Sequence, residues 1–259
     1  MDASLAELRD LMLKARRAAV FTGAGISTES GIPDFRGPNG VWTKADPNDF
    51  TIQNFLHSAE ARRRYWLRSS EMYRQILASA PNPAHRAVAR LEAAGRLGAV
   101  ITQNIDGLHV AAGNSRERVI ELHGSALEIA CLDCGDRQPR HTFQALVQAD
   151  GSAPDCVKCG GLLKPATISF GQALVPEVVE RATAETELCD LFLVIGSSLQ
   201  VYPAAGLPLR AVARGTPLAI VNLQETPHDG LARAVVRRAA GEVLPQVVNA
   251  LPMPWPLPA

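Results

Sequence analysis

Four of the five cysteines stand in two C-x-x-C pairs whose spacing suits a metal site. The pairs are Cys131 with Cys134 and Cys156 with Cys159. Each pair can present two thiolates on one tight turn, and four sulfur ligands make a tetrahedral zinc site. Such a site has no open coordination position, so the expected Zn²⁺ is structural. Paired disulfides are the alternative, but this cysteine usage fits a reducing compartment better, and we expect a cytoplasmic location.

A second candidate site begins at Gly23, where a predicted buried strand ends in a glycine turn. The apolar segment 18–22 precedes Gly23, and Gly25 follows two positions later. Paired glycines allow close approach to an anion, and their amides can point at phosphate oxygens. Ile26 then suits the start of a helix, whose N-terminal amides attract a pyrophosphate. The stretch predicts a dinucleotide site, although Thr28 replaces the last glycine of G-x-G-x-x-G and a turn without ligand is the alternative.

Polar side chains follow two further predicted strands. Gln103, Asn104 and Asp106 come directly after the strand GAVIT, and His123 follows the strand VIEL. Ligands of open α/β sheets bind at the carboxyl ends of strands, and a neutral imidazole suits general-base catalysis. The alternatives are a helix-capping network for the amides and the acid, and a structural role for the histidine.

Five stretches of the chain resemble sirtuin motifs. Residues 21–37 (FTGAGISTESGIPDFRG) resemble the sirtuin signature, and residues 102–109 (TQNIDGLH) resemble the second motif. Residues 121–124 (ELHG) resemble the motif that carries the catalytic histidine. Residues 162–172 and 196–205 (GSSLQVYPAA) resemble the motifs for substrate and phosphate contacts, with Gln172 where many sirtuins have Glu. The sequence is therefore similar to the sirtuins, with a bacterial appearance.

The resemblance implies NAD as a co-substrate. It assigns Gln103 and Asn104 to the nicotinamide ribose, Asp106 to the nicotinamide amide, and Ile105 to both nicotinamide and acyl-lysine. Phe35 would shield the reactive sugar from water. The full set of implied NAD contacts is Gly23, Ala24, Gly25, Ile26, Asp34, Phe35, Arg36, Gln103, Asn104, Ile105, Asp106, Gly196, Ser197, Ser198, Asn222, Leu223 and Gln224.

The implied reaction is NAD-dependent deacylation of acyl-lysine in proteins or peptides. Nicotinamide, free lysine and O-acyl-ADP-ribose would be released, with His123 as general base and Asn104 as a second catalytic residue. The implied substrate contacts are Ile105, Ile168, Phe170, Gly171, Leu199 and Val201. Two other functions remain open, namely NAD-dependent protein ADP-ribosylation and non-enzymatic NAD sensing. The intact Asn104, Asp106 and His123 favour deacylation.

The preferred acyl group is left open by the sequence. Tyr65 and Arg68 have the spacing of the Tyr-x-x-Arg pair found in sirtuins that prefer succinyl or malonyl groups. The surrounding stretch 64–66 and the later stretch 82–85 resemble class II, mitochondrial-type sirtuins, whose acyl range is broader. Deacetylation is the first expectation, with longer, branched or acidic acyl groups as alternatives.

Apolar strands alternate with helical patterns along most of the chain, which predicts a Rossmann-type parallel α/β sheet. Residues 1–38, 85–125 and 165–259 would form this large lobe. Residues 39–84 would form a helical module and residues 126–164 a four-cysteine module, which together make a smaller lobe. The site would lie in the cleft between the lobes.

The composition argues against some classes of partner. The formal net charge is zero, 20% of residues are charged, and no apolar run approaches a membrane span. We therefore expect neither nucleic-acid nor membrane binding, and we expect a monomer. The proline-rich residues 253–259 have no role that the sequence indicates.

Overall fold

The computed structural model describes residues 3–37, 40–43 and 46–251. The proline-rich stretch 253–259 lies outside the described residues. In chain order the strands are β1 (Ala18–Thr22), β2 (Leu97–Thr102), β3 (Val119–Glu121), β4 (Gly124–Cys131), β5 (Arg137–Pro139), β6 (Leu163–Thr167), β7 (Leu191–Ile195), β8 (Leu218–Val221) and β9 (Ala234–Val236). The helices are α1 (Ala3–Lys14), α2 (Ile52–His57), α3 (Ala59–Ala78), α4 (Pro83–Ala93), α5 (Leu108–Ala111), α6 (Arg140–Phe143), α7 (Pro176–Leu188), α8 (Gly206–Ala213) and α9 (Ala240–Val248).

Within the described residues, the larger sheet has six strands in the order β3-β2-β1-β7-β8-β9, and every pair is parallel. All residues of β1, β2, β7 and β8 are buried, as expected of parallel strands covered on both faces. The Rossmann-type prediction is thus confirmed. The strand β9, three residues long, was not predicted from the sequence.

Helices cover both faces of this sheet and enclose two separate apolar clusters. On one face, α1, α4 and α9 contribute Leu8, Val88 and Val243. On the other face, α7 and α8 contribute Ala182 and Leu207. Polar side chains cap the starts of helices, as their hydrogen-bonding groups predict. For example, the Asn82 side chain caps α4, which starts at Pro83.

The smaller lobe combines α2 and α3 of the helical module with the antiparallel sheet β5-β4-β6 of the four-cysteine module. Both modules share one apolar cluster, in which Phe55 and Trp66 pack with Ile129 and Phe143. The segment 38–55 contains 3-10 turns at Val41–Thr43 and Pro47–Phe50 and the start of α2. Residues 38–39 and 44–45 of that segment lie outside the described residues.

The chain after the first glycine turn differs from the prediction. In place of an α-helix that starts near Ile26, two 3-10 turns occur at Ala24–Ile26 and Thr28–Ser30. Gly31 ends the second turn with φ of +85°, a left-handed conformation that suits glycine. The dipole of a full helix therefore does not act at this position.

None of the helices in the described part of the chain combines the length and the apolar character that crossing a membrane requires.

Candidate active site

The candidate site lies at the carboxyl edge of the six-stranded sheet. Gly23, Gln103, Gly196 and Asn222 follow the ends of β1, β2, β7 and β8. The chain builds β1, β2 and β3 toward one side and β7, β8 and β9 toward the other, so the strand order reverses between β1 and β7. Open α/β sheets form a ligand crevice outside such a reversal. The loops after β1 and β7 flank this crevice.

The glycines of the two loops allow their backbones to touch. The Gly25 amide donates to Gly196 O at 2.8 Å, and the Gly23 amide donates to Ile195 O at 3.1 Å. The expectation that these two amides point at phosphate oxygens is therefore wrong. A Cβ on Gly25 would lie 2.8 Å from the Gly196 Cα, too close for any side chain. Glycine is therefore required at these positions because the loop after β1 and the loop after β7 are in backbone contact.

We expect Gly25→Ala to lower the free energy of unfolding by about 1–3 kcal/mol, because the added methyl group meets rigid backbone. Thermal unfolding measures the effect. Gly206→Ala is the matched control, since no atom lies within 4 Å of its added Cβ. Equal melting temperatures for the two variants would contradict the requirement for glycine.

A buried polar network lies beneath the crevice. Ser27 Oγ donates to Asp106 Oδ2 at 2.7 Å, and Asn104 Nδ2 donates to Ser27 Oγ at 3.0 Å and to Gly23 O at 3.2 Å. Leu108 N donates to Asp106 Oδ1 at 2.9 Å. Burial raises the pKa of Asp106, and the hydrogen bonds from Leu108 and Ser27 oppose this rise. The Asn104 amide is fixed with its nitrogen directed into the protein.

Two histidines that the sequence motifs do not assign to this network lie deeper in it. His85 Nε2 lies 3.5 Å from Ser27 Oγ, and His109 Nε2 lies 3.0 Å from Thr22 Oγ1. Burial lowers the pKa of His85 to about 4 and that of His109 to about 3, so both rings are neutral at pH 7. His109, the last residue of the motif 102–109, is buried and bonded to Thr22, which fits a structural role. Ser27 and His85 carry no local signal, because they are 58 positions apart in the chain.

His123 lies at the end of β3, half-buried, with its ring fixed by one backbone contact. Its Nδ1 is 3.0 Å from Gln103 O. Because a carbonyl only accepts, Nδ1 carries the proton and Nε2 keeps a basic lone pair. Burial lowers the pKa of His123 below 6.5, while the hydrogen bond to Gln103 opposes this. Gln103 Nε2 also donates to Ser197 Oγ at 2.8 Å, which joins the ends of β2 and β7. The imidazole is thus oriented and neutral near pH 7.

The other residues of the predicted cofactor set differ in their burial and in their hydrogen bonds. Asp34 Oδ1 accepts from Gly37 N at 2.9 Å, which shapes the loop that carries Phe35 and Arg36. Ala24 and Ser198 are half-buried, and Asn222 Nδ2 donates to the exposed Gln224. The exposed Leu223 lies between the last two. Ile26 differs, because its side chain is fully buried in an apolar cluster and only its backbone faces the turn.

Three residues of the predicted substrate set, Ile168, Phe170 and Gly171, follow the end of β6. Ile168 N donates to His123 O at 2.9 Å, so this residue is held beside the histidine. Phe170 pairs with the segment 50–52 through both of its backbone groups, and its side chain is 42% exposed. Gly171 is exposed and the half-buried Val201 lies on the loop after β7. Leu199 is instead buried in the core, with a strained φ of +54°.

The four predicted metal ligands converge in the four-cysteine module. Their sulfur atoms all lie within 4.8 Å of one another. Cys131 Sγ is 3.5 Å from Cys159 Sγ, and Cys134 Sγ is 3.8 Å from Cys156 Sγ. Tetrahedral zinc with Zn–S bonds near 2.3 Å requires sulfur separations of about 3.8 Å. The donor set therefore fits a structural Zn²⁺.

Fold and site together define an α/β protein with a ligand crevice at the sheet reversal, an oriented histidine beside it and an added four-cysteine module. A family model described as Sir2 family matches residues 23–203. NAD-dependent protein deacetylase 2 of Streptomyces coelicolor is 45% identical over 236 residues, which cover 90% of this chain and 97% of that protein. NAD-dependent protein deacetylase 1 of Bradyrhizobium diazoefficiens is 46% identical over 237 residues, with 92% of each chain covered.

A solved structure titled as a Sir2 variant with a deacetylated p53 peptide and 3′-O-acetyl ADP-ribose superposes with a TM-score of 0.86. It is 40% identical, and the match covers 95% of this chain and 97% of that chain. This chain belongs to the Sir2 family, the sirtuins.

Proposed function

We propose that this protein is an NAD-dependent protein-lysine deacylase that releases nicotinamide, free lysine and O-acyl-ADP-ribose. The observation that carries the proposal is His123, whose Nδ1 is held by the Gln103 carbonyl so that Nε2 is left as a neutral base. A deacylase needs such a base, whereas an NAD sensor does not. The Streptomyces and Bradyrhizobium relatives, both named as deacetylases, support the same assignment.

The residues around the crevice suit NAD by their chemistry. The side-chain nitrogen of Asn104 donates its hydrogen bonds to protein atoms. Its Oδ1 is therefore left to accept a hydrogen bond from a ribose hydroxyl. Asp106 anchors the network at the nicotinamide end, Ser198 lies on the loop proposed for the phosphates, and Phe35 excludes water. When bound, NAD supplies a ribose carbon from which nicotinamide can leave.

His123 provides the proton transfer of the proposed reaction. Nε2 accepts the proton of a ribose hydroxyl, and the resulting imidazolium is stabilised by its Nδ1–H bond to Gln103 O. Ile105 and Ile168 would flank the acyl-lysine next to this base. Zn²⁺ held by the four cysteines would take no part in the chemistry, because four protein ligands would leave it no open position.

The organisation predicted from the sequence is part of the proposal. The large lobe would comprise 1–38, 85–125 and 165–259, and the smaller lobe 39–84 and 126–164. The division is supported by the six-stranded sheet, whose strands all fall in the first set. A cytoplasmic location agrees with five cysteines that form no disulfide. The monomeric state stays a prediction.

The surroundings of Arg68 favour acetyl over acidic acyl groups. Arg68 forms an ion pair with Asp49, and Arg64 Nε lies 3.6 Å from the same carboxylate. The Asp49 side chain is only 17% exposed. An acyl group that ends in a carboxylate would have to replace Asp49 as the partner of Arg68. We therefore propose deacetylation as the main activity within a class II-like acyl range.

We expect Asp49→Asn to raise the ratio of desuccinylation to deacetylation by about threefold, since the lost ion pair is worth about 0.7 kcal/mol. Peptides that differ only in the acyl group give the ratio by mass spectrometry. The matched control is Glu60→Gln, which removes the partner of Arg64 at 2.6 Å without touching Arg68. An unchanged ratio in Asp49→Asn would show that Arg68 does not read the acyl group.

One screen distinguishes the proposed function from its alternatives. The purified, zinc-loaded protein is incubated with NAD and one peptide that carries acetyl, butyryl, long-chain or succinyl lysine in turn. Loss of the acyl group with formation of the matching O-acyl-ADP-ribose supports the deacylase. ADP-ribosylated protein with intact acyl-lysine would favour the transferase, and NAD binding without either product would favour the sensing module.

A further inference from the structure

Arg140 is a fully buried cation at the junction of the helical and four-cysteine modules. Its side chain has no exposed surface. Nε donates to Gln144 Oε1 at 2.8 Å, and Nη1 donates to Ser69 Oγ at 2.9 Å and to Ala126 O at 3.4 Å. All of these partners are neutral, and the buried Nη2 has no hydrogen-bond partner among the described residues. Arginine is rarely buried to this extent without an acid.

The guanidinium of Arg140 packs against aromatic rings of α3, whereas a buried arginine usually pairs with an acidic side chain. The guanidinium carbon lies 4.4 Å from the ring centroid of Tyr73 and 5.8 Å from that of Trp66. Desolvated cation–π contacts stabilise a buried charge by less than the burial of that charge costs. Burial lowers the pKa of Arg140 to about 10, so the side chain stays charged at pH 7. Net stability therefore does not explain why this position holds an arginine.

A second buried cation contacts α3 in the same way. The Lys164 ammonium on β6 donates to Pro165 O at 3.2 Å and to Thr167 O, and lies 5.4 Å from the ring centroid of Tyr65. The Tyr65 hydroxyl is 3.2 Å from Thr167 Oγ1. Two cations from the four-cysteine module thus hold the aromatic face of α3.

Two short paths connect Arg140 with the candidate site. Ala126, which accepts from Arg140, donates its own amide to Ile105 O at 2.9 Å. On α3, Ser69 lies one turn after Tyr65, on the same face of the helix. The Tyr65 hydroxyl in turn contacts Thr167, the neighbour of Ile168. Both residues proposed to flank the acyl-lysine are therefore linked to one guanidinium.

We propose that Arg140 is a positioning residue for the acyl-lysine site, which holds α3 and the Ile105 loop at a fixed separation. It does not touch NAD or substrate, and the inference rests on the proposed deacylase function. Small displacements of residues around a reacting group cost large factors in rate or affinity. Loss of Arg140 is expected to change acyl-peptide recognition and to leave NAD recognition unchanged.

The test compares Arg140→Met and Arg140→Lys with the wild type. Methionine keeps the volume without charge, and lysine keeps the charge without the planar set of donors. Arg96→Met is the matched control. Arg96 is also buried, with 1% of its surface exposed, but it donates to Met12 O, Leu13 O and Ala15 O at the C-terminal end of α1, away from the site. Melting temperatures, both KM values and the butyryl-to-acetyl ratio are measured.

We expect KM for the acetyl peptide to rise about tenfold in Arg140→Met and less in Arg140→Lys, with KM for NAD unchanged and the butyryl-to-acetyl ratio altered. Arg96→Met should lower the melting temperature without raising KM for the acetyl peptide relative to KM for NAD. The inference is overturned if both KM values of Arg140→Lys equal those of the wild type, or if Arg96→Met shows the same split. A wild type that binds NAD but turns over no acyl-lysine would overturn the proposed function instead.

Discussion

His123→Ala is expected to reduce deacylation by about 10³-fold while NAD binding is retained, because general-base catalysis contributes about 10²–10⁴-fold. The imidazole is fixed by Gln103 O and presents Nε2 as the base. Alanine removes the base and leaves the glycine turns and the Ser27 network unchanged. Single-turnover formation of O-acyl-ADP-ribose and calorimetric titration with NAD measure the two effects separately.

The control for this variant is His141→Ala, which truncates an exposed histidine of the four-cysteine module. The pH dependence gives a second readout. Because burial lowers the pKa of His123 below 6.5, Nε2 is unprotonated at neutral pH and becomes protonated only at lower pH. Turnover in the wild type should therefore persist through the pH range in which an ordinary histidine becomes protonated and fall only at lower pH. Full activity in His123→Ala would remove the general-base assignment.

Cys156→Ser is expected to release the metal and to disorder the four-cysteine module, with activity reduced by about 10²-fold or more. Structural zinc sites contribute about 10–16 kcal/mol in small domains, which matches or exceeds the stability of most proteins. Cys131 and Cys156 also belong to the apolar cluster that joins the two modules, so this loss reaches α3 and Trp66. Zinc content, peptide turnover and thermal unfolding are measured on the same sample.

Cys189→Ser provides the matched control. Cys189 is equally buried, but it lies in the core beside α7 and donates to Thr186 O at 3.2 Å, a bond that serine can replace. This variant should keep one zinc ion per chain and full turnover. Retention of zinc and activity by Cys156→Ser would show that the cysteines do not form the structural site.

The large sheet could be predicted from the sequence because its strands carry their own signal. The segment Ala18–Thr22 is apolar throughout and buried throughout, and the prediction matches the strand at both ends. The short strand β9 carries no such signal. Ala234–Val236 spans three residues, and they become a strand because β8 offers them an edge to pair with. Pairing with β8, rather than the local sequence, makes this segment a strand.

The same distinction applies within the candidate site. The sequence pointed to Gly25 as a glycine needed for close approach, which is correct, but it named the wrong neighbour. The loop after β7 occupies that space, and nothing near Gly25 in the chain indicates Gly196. Ser27 and His85 were missed for a similar reason, since their contact exists only after α4 packs beneath the turn. Motifs locate residues, whereas partners distant in the chain determine what those residues contact.

The paired strands β4 and β6 have a consequence for exchange of parts between homologous proteins. Cys131 faces Leu163 at one end of the pair, and His123 is bonded to Ile168 at the other. The segment 132–162, which connects β4 to β6, therefore begins and ends at neighbouring positions. Its length can vary, because the entropic cost of closing a loop grows only slowly with loop length. A grafted insertion would leave the histidine and Ile168 in register and would replace Arg140. If Arg140 positions the acyl-lysine site as proposed, transplanting this single segment would change the acyl preference while the proposed base, His123, stays unaltered.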